Sequence, residues 1–208
     1  MRRDFFSNDE LTFTILLLLL FVFFLKKLNS ERFYFNINVL KKEINKRLLL
    51  NDNLNFKLID FMYSIFFIFC LSIFICLENP EKYSLSIVIQ KSIFILKFFF
   101  AKTLIEYLSA VVFDFKINSK NFLIGKQLYL NTLGIIIFLF IILITYTAGF
   151  KNELLILTYF IIISYIIYFY TNLLFSFKKL ISKNLFYFIL YICTLEIIPY
   201  FYLIKNIF

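Results

Sequence analysis

The chain has 208 residues, of which 62% are hydrophobic and 22% aromatic, with a formal net charge of +9 and a mean hydropathy of +0.87. Soluble domains are about 45–50% apolar, so in water a chain this greasy would carry exposed patches far beyond those of soluble monomers. With no His and no Trp, His-ligated haem or zinc and Ser-His-Asp catalysis are excluded, and interfacial aromatic anchors must be Tyr.

Three Gly and two Pro argue against a loop-rich or disordered chain. The preference for Phe and for Lys over Arg suggests an AT-rich genome and carries no functional weight.

The first apolar run, residues 11–25, is short for a span of roughly 20 residues, but Lys26 and Lys27 can snorkel to the headgroups. Arg2 and Arg3 resemble the start of a signal peptide. Asp4, Asp9 and Glu10 spoil that pattern, and Lys26-Lys27-Leu28-Asn29-Ser30 offers no small-residue cleavage site, so an uncleaved span is expected. Residues 26–57 form the longest polar stretch. Ile37, Leu40, Ile44 and Leu48 recur at helical spacing among Lys41, Lys42, Glu43, Lys46 and Arg47, which predicts an amphipathic helix ending near Asn51-Asp52-Asn53. It lies on an anionic leaflet, or packs on the bundle, or is solvated; the sequence leaves these open.

Residues 58–77 form a second span with Asp60 near its start, where a headgroup contact is expected, and Asn79-Pro80 marks a turn. Residues 83–115 hold Gln90, Lys91, Lys97, Lys102, Glu106 and Asp114. As one helix they would reach roughly 50 Å, beyond a hydrocarbon core of about 30 Å, so a long tilted span over 84–113 is expected, with a broken span as the alternative. Residues 128–148 make the fourth span, with Gly149 as its C-terminal cap. Residues 154–174 make the fifth. Residues 185–204 make the sixth and carry Glu196 and Pro199. After the second span the longest connection is 116–127. Cys70, Cys76 and Cys193 all fall in apolar runs without metal-ligand spacing, and six residues put Cys70 and Cys76 on different helix faces. The reading is an all-α integral membrane bundle of about six transmembrane helices, one membrane domain over 1–208.

Basic residues gather on the cytoplasmic side of a membrane. Lys26, Lys27, Arg32, Lys41, Lys42, Lys46, Arg47 and Lys57 in the first connection, Lys116, Lys120 and Lys126 in the third, and Lys178, Lys179 and Lys183 in the fifth share one side of a six-span chain. Arg2, Arg3, Lys82, Lys151 and Lys205 fall on the other. Both termini are therefore expected on the outer face. Removing the third span from this scheme inverts the later connections and destroys the pattern. Arg2 and Arg3 pull the other way but are outnumbered. The same distribution explains most of the net charge, so the expected partners are the lipid bilayer and other membrane proteins, not nucleic acid.

Ionisable groups inside the bilayer are costly and usually face the bundle interior. Lys91, Lys102, Glu106 and Ser109 fall within about 60° of one another on a helical wheel, and Lys102 and Glu106, four apart, can pair. They line a polar cavity or a subunit contact, or the lysines snorkel to opposite interfaces with Glu106 already beyond the hydrocarbon. Lys97 sits mid-span and is expected to need a partner inside the bundle. Glu196 lies near mid-membrane, three residues before Pro199, whose missing N–H frees the carbonyl of Leu195 and bends the helix. A Glu196–Lys97 or Glu196–Lys102 pair is one expectation; a neutral Glu196 beside a structural kink is the other. Tyr159, Tyr165, Tyr168 and Tyr170, with Tyr146, Tyr191, Tyr200 and Tyr202, are expected to anchor and pack the last helices.

The run Leu190-Tyr191-Ile192-Cys193-Thr194-Leu195-Glu196-Ile197-Ile198-Pro199 resembles the C-terminal signature Leu-Tyr-x-Cys-Thr-Leu-Glu-Ile-x-Pro of a family of uncharacterised multi-pass membrane proteins from Bacteroidota. The arrangement of several spans and a lysine in the middle of one is also similar. The resemblance implies a bacterial inner-membrane location and adds weight to Glu196; it supplies no activity.

No nucleotide motif, metal cluster or nucleophile–base constellation is legible, and no cofactor is expected. A non-enzymatic envelope component, scaffold or complex subunit is the leading reading. A small transporter or channel would use Lys97, Lys102, Glu106 and Glu196 on the third and sixth helices, although paired Gly/Pro breaks and repeats are missing. A membrane-embedded lipid-active enzyme would rest on Glu196 alone.

Overall fold

A computed structural model describes residues 9–37, 58–78, 84–112, 116–147 and 150–176. Within these residues the chain is all-helical: α1 (Asp9–Leu28), α2 (Ser30–Ile37), α3 (Leu58–Leu77), α4 (Leu85–Val112), α5 (Lys116–Tyr146) and α6 (Lys151–Ser176). The expected span 185–204, the expected helix beyond residue 37 and Gly149 lie outside the described residues.

Every described helix but α5 starts where its sequence supplies a cap or an acidic residue. Asp9 and Glu10 open α1 and Lys26 and Lys27 close it, both signs favourable for the helix dipole. Ser84 caps α4, its Oγ accepting from the N–H of Ile87 at 3.3 Å. The N–H of Leu85 donates to Glu10 Oε2 at 3.1 Å, so the first turn of α1 also caps α4. The chain breaks at Asn29 and α2 follows, with Phe33 packed against Leu25, Ile59 and Tyr63.

These contacts fix the topology. The start of α1 meets the start of α4 at one end of the bundle, where Glu78, just past α3, also accepts from the Tyr159 hydroxyl of α6. The last turn of α1 meets the first turn of α3 at the opposite end through Leu25 and Ile59. The long helices α1, α3, α4, α5 and α6 therefore alternate in direction. We call the two ends the Glu10 end and the Lys26 end.

The centre is the pair α3–α5, with α4 packed on α3 and α6 on α5. Phe66 and Phe67 of α3 meet Phe138 of α5 and Phe99 of α4 edge-on, with ring centroids 5.6 Å apart in both pairs. Gly134 makes the central approach possible: a Cβ there would lie 2.9 Å from Phe67 Cα. Between lipid-embedded helices the apolar effect gives little drive, so close backbone approach at small residues supplies cohesion. Phe13, Leu20 and Phe23 of α1 and Ile156, Phe160 and Ile167 of α6 point outward, the face a bilayer would cover.

Asp9–Leu28, Leu58–Leu77, Ile124–Tyr146 and Lys151–Asn172 are long and apolar enough to cross a membrane. This is four of the six expected spans. α4 is unbroken over 28 residues, which removes the broken-span alternative, but it carries Lys91, Lys97, Lys102 and Glu106. The expected connection 116–127 is instead the first third of α5, a 31-residue helix. Its apolar positions Ile124 and Leu128 are buried in the core, and its polar ones are held by neighbouring helices as described below.

Candidate functional site: a buried polar cluster at the Lys26 end

Two polar groupings sit on neighbouring flanks of α5. On the α4 side, Lys126 Nζ lies 2.5 Å from Glu106 Oε1, and Lys102 Nζ lies 3.8 Å from the same oxygen. Lys102 and Glu106 are one helical turn apart on α4, as their spacing predicts. Glu106 is 1% exposed, Lys102 4% and Lys126 5%. All three carry interactions beyond these contacts. In so enclosed a place a charge is tolerated only when paired and hydrogen-bonded, so the trio ties α5 to α4.

On the α3 side, Gln127 Nε2 donates to Ser64 Oγ at 2.5 Å and to Asn131 Oδ1 at 3.3 Å. Ser64 Oγ donates to the Asp60 carbonyl at 2.8 Å, and Asn131 Nδ2 reaches the same carbonyl at 3.5 Å. Asn131 is fully buried and Asp60 nearly so. Gln127 and Asn131 stand one turn apart on α5, and Asp60 and Ser64 one turn apart on α3. The side chains of Gln127, Asn131 and Ser64 and the backbone carbonyl of Asp60 thus form a ladder that sets the register of the two central helices.

Three other buried hydroxyls have local partners. Ser72, Ser92 and Thr132 donate to the carbonyls of Ile68, Val88 and Leu128, each four residues back. Tyr165 of α6 donates to the carbonyl of Tyr129 at 3.1 Å, placing a buried tyrosine at the α5–α6 contact; Tyr146 and Tyr168 stay exposed. Cys70 and Cys76 are buried free thiols. Among the described residues no three Cys, Asp or Glu side chains converge as metal ligands would.

The sequence-derived candidates divide. Lys102 and Glu106 are together and buried; Lys91 is half-buried; Lys97 is exposed on the outer face of α4 with Ile93 and Phe100. The expectation of an interior partner for Lys97 is therefore not met among the described residues. Glu196 and Pro199, and any pair they make, lie outside them, as does the side chain of Ser109. Asp60, expected at the headgroups, is buried inside the bundle next in sequence to Ile59, whose cluster with Leu25 and Tyr63 packs against Phe33 of α2. Lys126 is corrected too, from a connection to the interior. Gln127 and Asn131 were not singled out by sequence reasoning. Their signal was a polar i, i+4 pair in register with Gly134, on a helical stripe that continues into Phe138 and Ile141.

No curated protein and no solved structure matches the chain. The model of a family described as a domain of unknown function, DUF4271, matches residues 11–207, nearly the whole sequence, and the chain belongs to that family.

Proposed function

We propose that this protein is a non-enzymatic multi-pass component of a bacterial inner membrane, a scaffold or subunit of an envelope complex. On this reading it is one membrane domain of six spans with both termini periplasmic. The observation that carries the reading is how the buried polar groups are used. Among the described residues those that bridge helices deep in the bundle gather near the Lys26 end and bond to one another. From Cys70 through Phe74 on α3, and from Leu133 through Ile141 on α5, the inward side chains are apolar or back-bonded to their own helix. A transporter needs a polar path through such a region, and a lipid-active enzyme needs acids open to substrate. Neither requirement has support among the described residues.

The alternation of helix direction supports the span count and orientation. It brings the Lys26–Lys27 pair and the start of α5 to one end, which agrees with positive charge on the cytoplasmic face. Pairing of Lys102 and Glu106 inside the bundle lowers the cost of carrying them in α4, which supports α4 as a span. The test is affinity purification of the tagged full chain from native membranes in mild detergent, paired with flux assays on the purified protein in vesicles. The expected result is recovery of specific membrane proteins at constant stoichiometry and no flux. A lone chain that moves ions or lipid precursors would overturn the proposal.

A further inference from the structure

We infer that the outward face of α4, centred on Lys97, docks a transmembrane helix of another membrane protein that carries an Asp or Glu near mid-bilayer. This rests on the reading of the protein as a subunit of a membrane complex and specifies the chemistry of one partner. Val88, Ile95 and Glu106 mark the face of α4 that the bundle buries. On a helical wheel Lys97 lies about 160–180° from all three. It is exposed, and so are Gln90, Ile93, Phe100 and Leu104 on the same outward stripe. Among the described residues neither Lys97 nor Gln90 has a hydrogen-bond or ion-pair partner.

The neighbouring helices fix the depth of Lys97. Leu58–Leu77 of α3 and Ile124–Tyr146 of α5 are each long and apolar enough to cross a bilayer. Phe67, at the middle of the first, meets Gly134, near the middle of the second, so this level is mid-bilayer in a membrane-embedded bundle. Phe99 of α4 packs edge-on against Phe67 at 5.6 Å, and Lys97 stands two residues away, about 3 Å along the axis. The nearest headgroups are then about 15 Å off, half of a core of about 30 Å. The four-carbon stem of a lysine does not span that distance, so neither snorkelling nor a lipid phosphate relieves the charge. An ammonium group facing acyl tails at this depth is in the costliest place a membrane offers. A carboxylate on an adjoining helix supplies both the counter-charge and the hydrogen bond. A second copy of the bundle presents no such acid among its described residues. Asp9, Glu10, Glu31, Glu78 and Glu153 stand at or beside helix ends, and Asp60 and Glu106 are buried. The partner is therefore a different protein, whose helix lays an apolar side on Ile93, Phe100 and Leu104 and its acid on Lys97.

The test is photocrosslinking of the tagged full chain in native membranes, with a photoreactive phenylalanine analogue in place of Phe100, one turn from Lys97. The same analogue in place of Phe160, on the outer face of α6, is the control. The expected product joins position 100 to one other membrane protein, through a peptide with an Asp or Glu inside an apolar run. Lys97→Leu is expected to lower its yield about tenfold or more, as loss of one partner of an enclosed charge pair does, and to leave the adducts of position 160 unchanged. Adducts of position 100 with lipid only, with a second copy or within the same chain would overturn the inference. So would a partner peptide without an acid, or a yield indifferent to Lys97→Leu. If the leucine chain does not accumulate, Lys97→Gln and Lys97→Arg decide: the product is lost with glutamine and kept with arginine, and equal yields from both overturn the inference. Stoichiometric partners in the affinity purification, with lipid adducts alone at position 100, would remove this interface and leave the subunit reading standing. Purification of the chain alone would remove both.

Discussion

The Lys26 end and the Glu10 end of the bundle are held by different physics. At the Lys26 end α3, α4 and α5 are joined by a deeply enclosed ion-paired trio and a partly enclosed amide–hydroxyl ladder. Toward the Glu10 end the same helices meet through Ile73, Phe74, Val88, Ile137 and Ile141, and the polar contacts include Glu10 on Leu85 and Glu78 on Tyr159. Apolar contact between helices in lipid is forgiving, because a slipped helix finds equally apolar neighbours. A buried carboxylate among ammonium groups is not, since a slip by one turn strands a charge. Register is therefore specified at the Lys26 end, and the apolar region follows it.

The largest expected effect comes from removing Glu106. Glu106→Leu leaves Lys102 and Lys126 enclosed without their shared carboxylate and should cost about 3–5 kcal/mol, read as a large drop in Tm in detergent or as loss of the folded chain. A loss below about 1 kcal/mol would show that the trio is dispensable. Next is the close approach midway between the ends. Gly134→Val sets a branched side chain against the Phe67 backbone, and overpacking of this kind costs about 1–3 kcal/mol. Gly134→Ala should cost less than valine because it adds a single methyl group, but that Cβ would lie 2.9 Å from the Phe67 backbone, so it too forces the two helices to shift. Asn131→Leu breaks the ladder on α3 and should cost roughly 0.6–1.7 kcal/mol, the range for interhelical hydrogen bonds in membranes. The smallest effect is expected at the outer face: Phe160→Leu, on a side chain 72% exposed, should shift stability by no more than about 0.5 kcal/mol. An Asn131 variant less stable than the Glu106 variant would reverse the contrast between ionic and neutral bonding at that end.

The sequence made the apolar helices legible because about 20 consecutive apolar residues have few alternatives. Five of the six expected apolar spans coincide with helices among the described residues. The Lys102–Glu106 pair was legible because i, i+4 spacing is a property of one helix. Lys126 was not. It stands just before the apolar run 128–148 that marks the expected span, and its place depends on a carboxylate twenty residues earlier on another helix. Asp60 was misplaced for a related reason. Position near a span's end suggests water, while the fold-back of α2 that brings Phe33 over that end follows from the break at Asn29, which hydropathy does not register. The outward aim of Lys97 was likewise hidden, since the wheel shows which residues share a face but not which face the bundle occupies.

On the proposed reading α4 crosses the membrane despite its four charged residues, because Lys102 and Glu106 are enclosed with Lys126. Ser84→Cys and Asn118→Cys chains labelled with a membrane-impermeant maleimide, in sealed vesicles of known orientation, distinguish a crossing helix from one held on a single side. A crossing helix has the two positions reacting from opposite sides of the bilayer. Reaction of both from the same side would rule the crossing out.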